Sequence, residues 1–131
     1  MCNMLPPPRA AANVVISMGA PPNATGGMIP DGLMQLQTLV IYRRNGGPPP
    51  PQMMLSAALQ VMGNNWAIVS STGGPQLERA NFNVNYRGSN LFLNATCGGG
   101  GMTGATYTAR ANGFDMIIND PNGAFMYQFN R

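Results

Sequence analysis

Residues 80–97 alternate apolar and polar side chains in two runs. In the first, Phe82, Val84 and Tyr86 fall on one face and Asn81, Asn83, Asn85 and Arg87 on the other. In the second, Leu91, Leu93, Ala95 and Cys97 share a face opposite Asn94 and Thr96. Alternation with a period of two predicts strands with one dry and one wet face. The break at Arg87-Gly88-Ser89-Asn90 predicts a hairpin between them. The pattern continues through strands over 106–110, 114–119 and 124–131, separated by Ala111-Asn112-Gly113 and Asp120-Pro121-Asn122-Gly123. In the second of these turns proline presets φ and glycine accepts a left-handed backbone. The C-terminal half therefore reads as a five-stranded antiparallel meander. Its predicted core is Phe82, Val84, Leu91, Leu93, Phe114, Met116 and Ile118.

The N-terminal half is less regular. Over 33–43, Met34, Leu36, Thr38, Val40 and Tyr42 share a face, with Leu39 and Ile41 on the other. Pro48 to Pro51 reads as a stiff exposed loop. Residues 52–62 fit both a strand (Met53, Leu55, Ala57, Leu59, Val61) and a helix (Leu55, Ala58, Leu59, Met62), and the β-rich surroundings favour the strand. Another strand over 66–72 points Trp66 and Ile68 inward. Residues 1–31 lack a domain-like pattern: Pro6-Pro7-Pro8, one β-branched run with Val14, Ile16 and Met18 on one face, then a Gly- and Pro-rich spacer. A lone strand between such linkers is not stable by itself and must join a sheet edge. The chain thus divides into an N-terminal arm, 1–31, and a domain, 32–131. Eight or nine strands predict an all-β antiparallel sandwich or jelly roll with a protruding N-terminal strand arm.

Composition narrows the function. Charged residues make up 8% of the chain, against about 25% in an ordinary soluble domain. So little charge suits a surface that packs against copies of itself, because few charges must be desolvated. The absence of histidine rules out Ser-His-Asp and Cys-His nucleophile systems. The acids Asp31, Glu78, Asp115 and Asp120 form no motif, so neither catalysis nor a metal or other cofactor is expected. The net charge of +3 is spread over separated arginines apart from Arg43-Arg44, without the basic cluster of a nucleic-acid binder. No apolar run approaches the ~18 residues of a membrane span. The N-terminus is not an intact signal peptide, yet the chain reads as a mature secreted product.

Two further features point outside the cell. Cys2 and Cys97 are a candidate disulfide, within one chain or between two, although the alternation puts Cys97 on the inward face as a small apolar residue. Asn23-Ala24-Thr25 and Asn94-Ala95-Thr96 are glycosylation sequons, which makes Asn23 and Asn94 candidate sites.

The isolated strand between flexible linkers resembles, in arrangement, the donor strand of pilin-type filament subunits. That resemblance implies an incomplete sandwich whose groove is filled by the arm of the next subunit, with Val14, Ile16 and Met18 as alternate plugs. Strand 12–18 would then add to another copy, and repetition would give an extracellular homopolymer. A weak internal repeat and the Gly88-Ser89-Asn90-Leu91…Cys97 pattern look like the cyanovirin-type lectins. This alternative implies a secreted carbohydrate-binding module with glycans as partners and Trp66 and Tyr107 as candidate sugar-binding aromatics.

Overall fold

The computed structural model describes residues 2–43, 54–98, 101–121 and 123–131. Among them are nine strands: β1 (Asn13–Met18), β2 (Gly32–Arg43), β3 (Ser56–Met62), β4 (Asn65–Ser71), β5 (Glu78–Arg87), β6 (Asn90–Cys97), β7 (Met102–Arg110), β8 (Gly113–Asp120) and β9 (Gly123–Asn130). From β2 to β9 each strand pairs antiparallel with the next, and β9 returns to pair antiparallel with β2. The result is a closed eight-stranded up-and-down barrel. It corrects the expected sandwich or jelly roll: one sheet closes on itself, and closure removes the edges that two sheets would leave. The ambiguous stretch is a strand from Ser56 onward. Gln52, Met53 and the proline run Pro48 to Pro51 lie outside the described residues.

The lumen is filled by side chains. Val84, Leu91, Leu93, Phe114 and Met116 are buried in one cluster with Met34, Leu36, Leu59, Trp66 and Phe129, while Phe82 and Ile118 pack against it half-buried. The Phe114 ring lies between Trp66 and Phe129, at centroid distances of 5.2 and 5.4 Å. Outward positions on β4 to β8 are mostly polar, with Asn65, Asn83, Asn94 and Thr108 in register on neighbouring strands or facing solvent beside them. This inside-apolar, outside-polar pattern is the inverse of the lipid-facing band of a membrane barrel.

Two bulges change which residues face inward. In β2 the register with β9 shifts between Leu36 and Thr38. Met34 and Leu36 are inward below the bulge, Leu39 and Ile41 are buried above it, and Val40 and Tyr42 turn outward. Strict alternation had placed Val40 and Tyr42 with Met34. In β6 the register with β5 shifts so that Ala95 faces Phe82 and Cys97 faces Asn81. The extra residue turns Cys97 to the outer surface, where Cys2 lies. The inward placement of Cys97 is thereby corrected, since a bulge reverses the parity of every residue beyond it.

Residues 2–31 do not protrude; they wrap the barrel. Leu5 is buried on the outer face against Ala58 and Val69. Further along, β1 pairs parallel with β2 from Asn13↔Thr38 to Met18↔Arg43. The antiparallel β2–β3 pairing covers only Gly32 to Gln35, so β1 occupies the β2 edge that β3 leaves vacant. Gly26 then bridges Thr108 of β7, donating to the Tyr107 carbonyl at 2.8 Å and accepting from the Ala109 amide at 2.8 Å. With the lumen filled, residues 19–25 must pass outside β9 and β8 between these two anchors. On the outer face of β8 and β9, Ile117, Ala124 and Met126 are buried together, with Val40 and Tyr42 of β2 packed against them.

Candidate functional site

Two surfaces stand out: the β1 strip and the barrel end crossed by residues 27–31. The strip is fastened on both sides. Upstream, Cys2 and Cys97 form a disulfide with a Cα–Cα distance of 5.5 Å. Asn3 Nδ2 donates to the Ile68 and Ala80 carbonyls at 3.1 and 3.2 Å. Arg79 Nη1 donates to Asn3 Oδ1 and to the Leu5 carbonyl at 3.1 and 2.7 Å. Downstream is the Gly26 bridge. An added Cβ on Gly26, where φ is +72°, would stand 2.7 Å from the Gly88 carbonyl oxygen, so this anchor requires glycine.

Between these fastenings β1 is held by backbone pairing more than by side-chain burial. Val14 and Ile16 share a face with the buried Leu39 and Ile41, yet they remain 37% and 54% exposed, and Met18 is 69% exposed. On the opposite face Val15 is 47% exposed. In this single chain the segment 12–18, expected to pair with a second copy, pairs with its own β2. The described residues bring one backbone bond to its other side, from the Ala12 amide to the Leu55 carbonyl at 2.7 Å. The sequence-predicted plugs Val14, Ile16 and Met18 are therefore together, on one strand, and largely uncovered.

At the Gly32 end of β2, away from β1, residues 27–31 cross the barrel mouth. Ile29 drops into the core. Tyr107 Oη donates to the Gly27 carbonyl at 3.0 Å, and the Gly63 amide donates to Asp31 Oδ1 at 2.9 Å. Trp66 Nε1 donates to Tyr86 Oη at 3.1 Å, and the Tyr86 and Tyr107 rings meet edge to face at 5.8 Å. Burial pushes the Tyr86 phenol above its ordinary value, partly offset by the Trp66 hydrogen bond. Asp31, Tyr86 and Tyr107, with Met28, Pro30 and Asn64, line a cavity of about 620 Å³. Trp66 and Tyr107, expected as exposed aromatics, are each 3% exposed, and their polar atoms are already bonded within the chain. Neither presents a ring face to solvent.

The remaining candidates are dispersed. Asn23 is exposed on the crossing segment and Asn94 on the outer face of β6. Asp115 is paired with Arg110 at 2.9 Å, and Asp31 is committed to the mouth. Among the described residues no three His, Cys, Asp or Glu side chains gather in one place, and no helix is long and apolar enough to cross a membrane. Sequence reasoning missed the Asn3–Arg79–Leu5 fastening altogether. Its only local sign was an apolar Leu5 ahead of three prolines, and its partners lie far away along the chain. No family model, curated protein or solved structure matches the chain.

Proposed function

We propose that the chain is an extracellular structural subunit that assembles with copies of itself, and that β1 is its contact surface. The observation that carries this reading is a strand that completes part of its own barrel's hydrogen bonding yet leaves Val15, Ile16 and Met18 about half exposed or more. Apolar side chains on a strand at the margin of a sheet favour addition of another chain. The low charge supports self-association, because few charges need desolvation when two such surfaces meet.

The fastenings on both sides of β1 alter the pilin-like mechanism. With Cys2 tied to Cys97 and Gly26 tied to β7, the strand is not a free arm. It engages a neighbour from its place on its own barrel. Contact with a different surface of the next copy repeats head to tail and gives a filament, whereas contact with the same strip closes as a dimer. Sedimentation and electron microscopy of the purified chain test this. Concentration-dependent polymers that disappear in Ile16→Lys support the filament reading. A discrete dimer reduces it to a two-fold contact, and a monomer at millimolar concentration refutes it.

The mouth cavity favours a second reading, a carbohydrate-binding module. Asp31, Asn64 and Tyr86 place polar atoms beside an apolar floor, the mixture a sugar requires. Calorimetric titration with an oligosaccharide panel distinguishes the two: saturable binding lost in Tyr86→Ala, by a monomer, favours the lectin-like role.

A further inference from the structure

The outer face of β5, β6 and β7 carries an arrangement that neither reading uses. On a strand, residues two apart share a face. Phe92, Asn94 and Thr96 are spaced in this way on β6, and all three are directed outward while Leu91 and Leu93 fill the lumen. Register places Asn85 and Gly104 on either side of Phe92, and Asn83 and Met102 on either side of Asn94. A Cβ built on Gly104 would lie 3.6 Å from both Cδ1 and Cε1 of Phe92. On its β7 side the ring therefore leans over bare backbone, half-buried, with no side chain at Gly104 to raise it off the sheet. Asn94 and Thr96 are exposed.

We propose that this face is a seat for a pyranose ring, and that its resident is the first sugar of a glycan attached to Asn94. The sequon supplies the acceptor: Asn94 Nδ2 attacks the anomeric carbon of a lipid-linked diphosphosugar held by a transferase. The new C1–Nδ2 bond forms as the C1–O bond to the diphosphate breaks, and the amide proton leaves to the transferase's base. The seat follows from geometry. A sugar on Asn94 starts one residue pair along the strand from Phe92, close enough to lay its C–H face on the ring. Sugar C–H groups are drawn to the negative face of an aromatic ring as other polarised donors are, while Asn83 and Asn85 offer amides to its hydroxyls. The other sequon lacks this arrangement, with Pro21 at the position that Phe92 occupies relative to Asn94. β6 is also on the opposite side of the eight-stranded ring from β2, so a glycan there leaves the β1 strip open.

The test uses the full chain secreted from a eukaryotic host. Peptide mass analysis should find an N-linked hexosamine at Asn94, absent in Thr96→Ala. The glycosylated chain should melt higher than Thr96→Ala by roughly 3–4 °C, the scale of one aromatic contact in a domain of this size. That increment should vanish when Phe92→Ala is added to both forms. If Phe92→Ala fails to fold, Phe92→Leu serves, and upfield ring-current shifts of the sugar protons in the wild type provide a readout independent of stability. An unmodified Asn94 in the secreted chain overturns the proposal, as does an increment unchanged by loss of the ring. Saturable binding of free N-acetylglucosamine to an unmodified wild-type chain would assign the seat to an external sugar and equally overturn a covalent resident.

Discussion

The barrel and the belt around it achieve burial in opposite ways. From β2 to β9 every strand has two neighbours, and the side chains between them are as enclosed as Val84, Leu91 and Phe114, all at 0% exposure. Residues 2–31 touch the same barrel at separated points: a disulfide, the Asn3 and Arg79 fastening, Leu5, the β1 ladder, the Gly26 bridge and Ile29. Between those points the belt is exposed. Burial makes the barrel a cooperative unit, whereas the belt depends on each anchor. The difference shows in the surface as well: Met4, Val14, Val15, Ile16, Met18 and Met28 of the belt stay exposed, and the proposed self-assembly rests on part of that surface.

The largest expected break in this comparison comes from removing the disulfide. The bridged residues are 95 apart, and closing a loop of that size stabilises by about 4–5 kcal/mol in the chain-entropy model. Replacing both Cys2 and Cys97 by serine should lower global stability by up to that amount. Hydrogen exchange should show the loss of protection beginning in the belt, with β5 to β9 last to open. Uniform loss of protection would mean that belt and barrel are one unit.

Within the barrel, Phe114→Ala removes the ring between Trp66 and Phe129 and should cost about 3–5 kcal/mol, read as a fall in the denaturant midpoint. On the belt, Leu5→Ala should cost about 2 kcal/mol, because Leu5 packs against the small Ala58, Val69 and half-buried Ala67. Limited proteolysis separates the two. The Leu5 variant should be cut first near its own site with the barrel intact, while the Phe114 variant should be degraded throughout.

Much of the barrel was legible in the sequence because its signals are local. Alternation in 80–97 and the turns at Asn112-Gly113 and Pro121 fix strands and hairpins over short distances. Closure was not legible, since the β2–β9 pairing joins the first barrel strand to the last through no local pattern. Bulges hid the rest. One extra residue in β6 sent Cys97 outward, and one in β2 exchanged Leu39 for Val40 in the interior. The belt was read as a free arm because prolines and glycines mark linkers equally well whether they leave a surface or lie along it. The mouth was missed for a similar reason. Tyr86 and Tyr107 are far apart in sequence, and only barrel curvature brings their rings together.

The smallest effect concerns alkaline pH, and it distinguishes the mouth from the barrel wall. Burial raises the phenols of Tyr86 and Tyr127 above the ordinary value of 10.0, since a phenolate is disfavoured away from water. The unfolded chain then loses its tyrosine protons before the folded one does. The folded state binds more protons over that interval, so stability is complete below pH 10 and declines as pH rises through the folded values. Tyr127 lies on β9, half-buried against the main core, whereas Tyr86 lies beneath the crossing formed by residues 27–31. Tyr127→Phe should therefore remove part of the alkaline decline and leave the mouth closed. Tyr86→Phe should also remove part of it, and in addition free Trp66 Nε1 and the Gly63 carbonyl, both of which Tyr86 Oη engages. Tryptophan fluorescence followed from pH 7 to 12 reports the distinction: a shift at neutral pH in Tyr86→Phe alone places the weak point at the mouth. Equal spectra and equal alkaline slopes in both variants would mean that the crossing segment draws no stability from Tyr86.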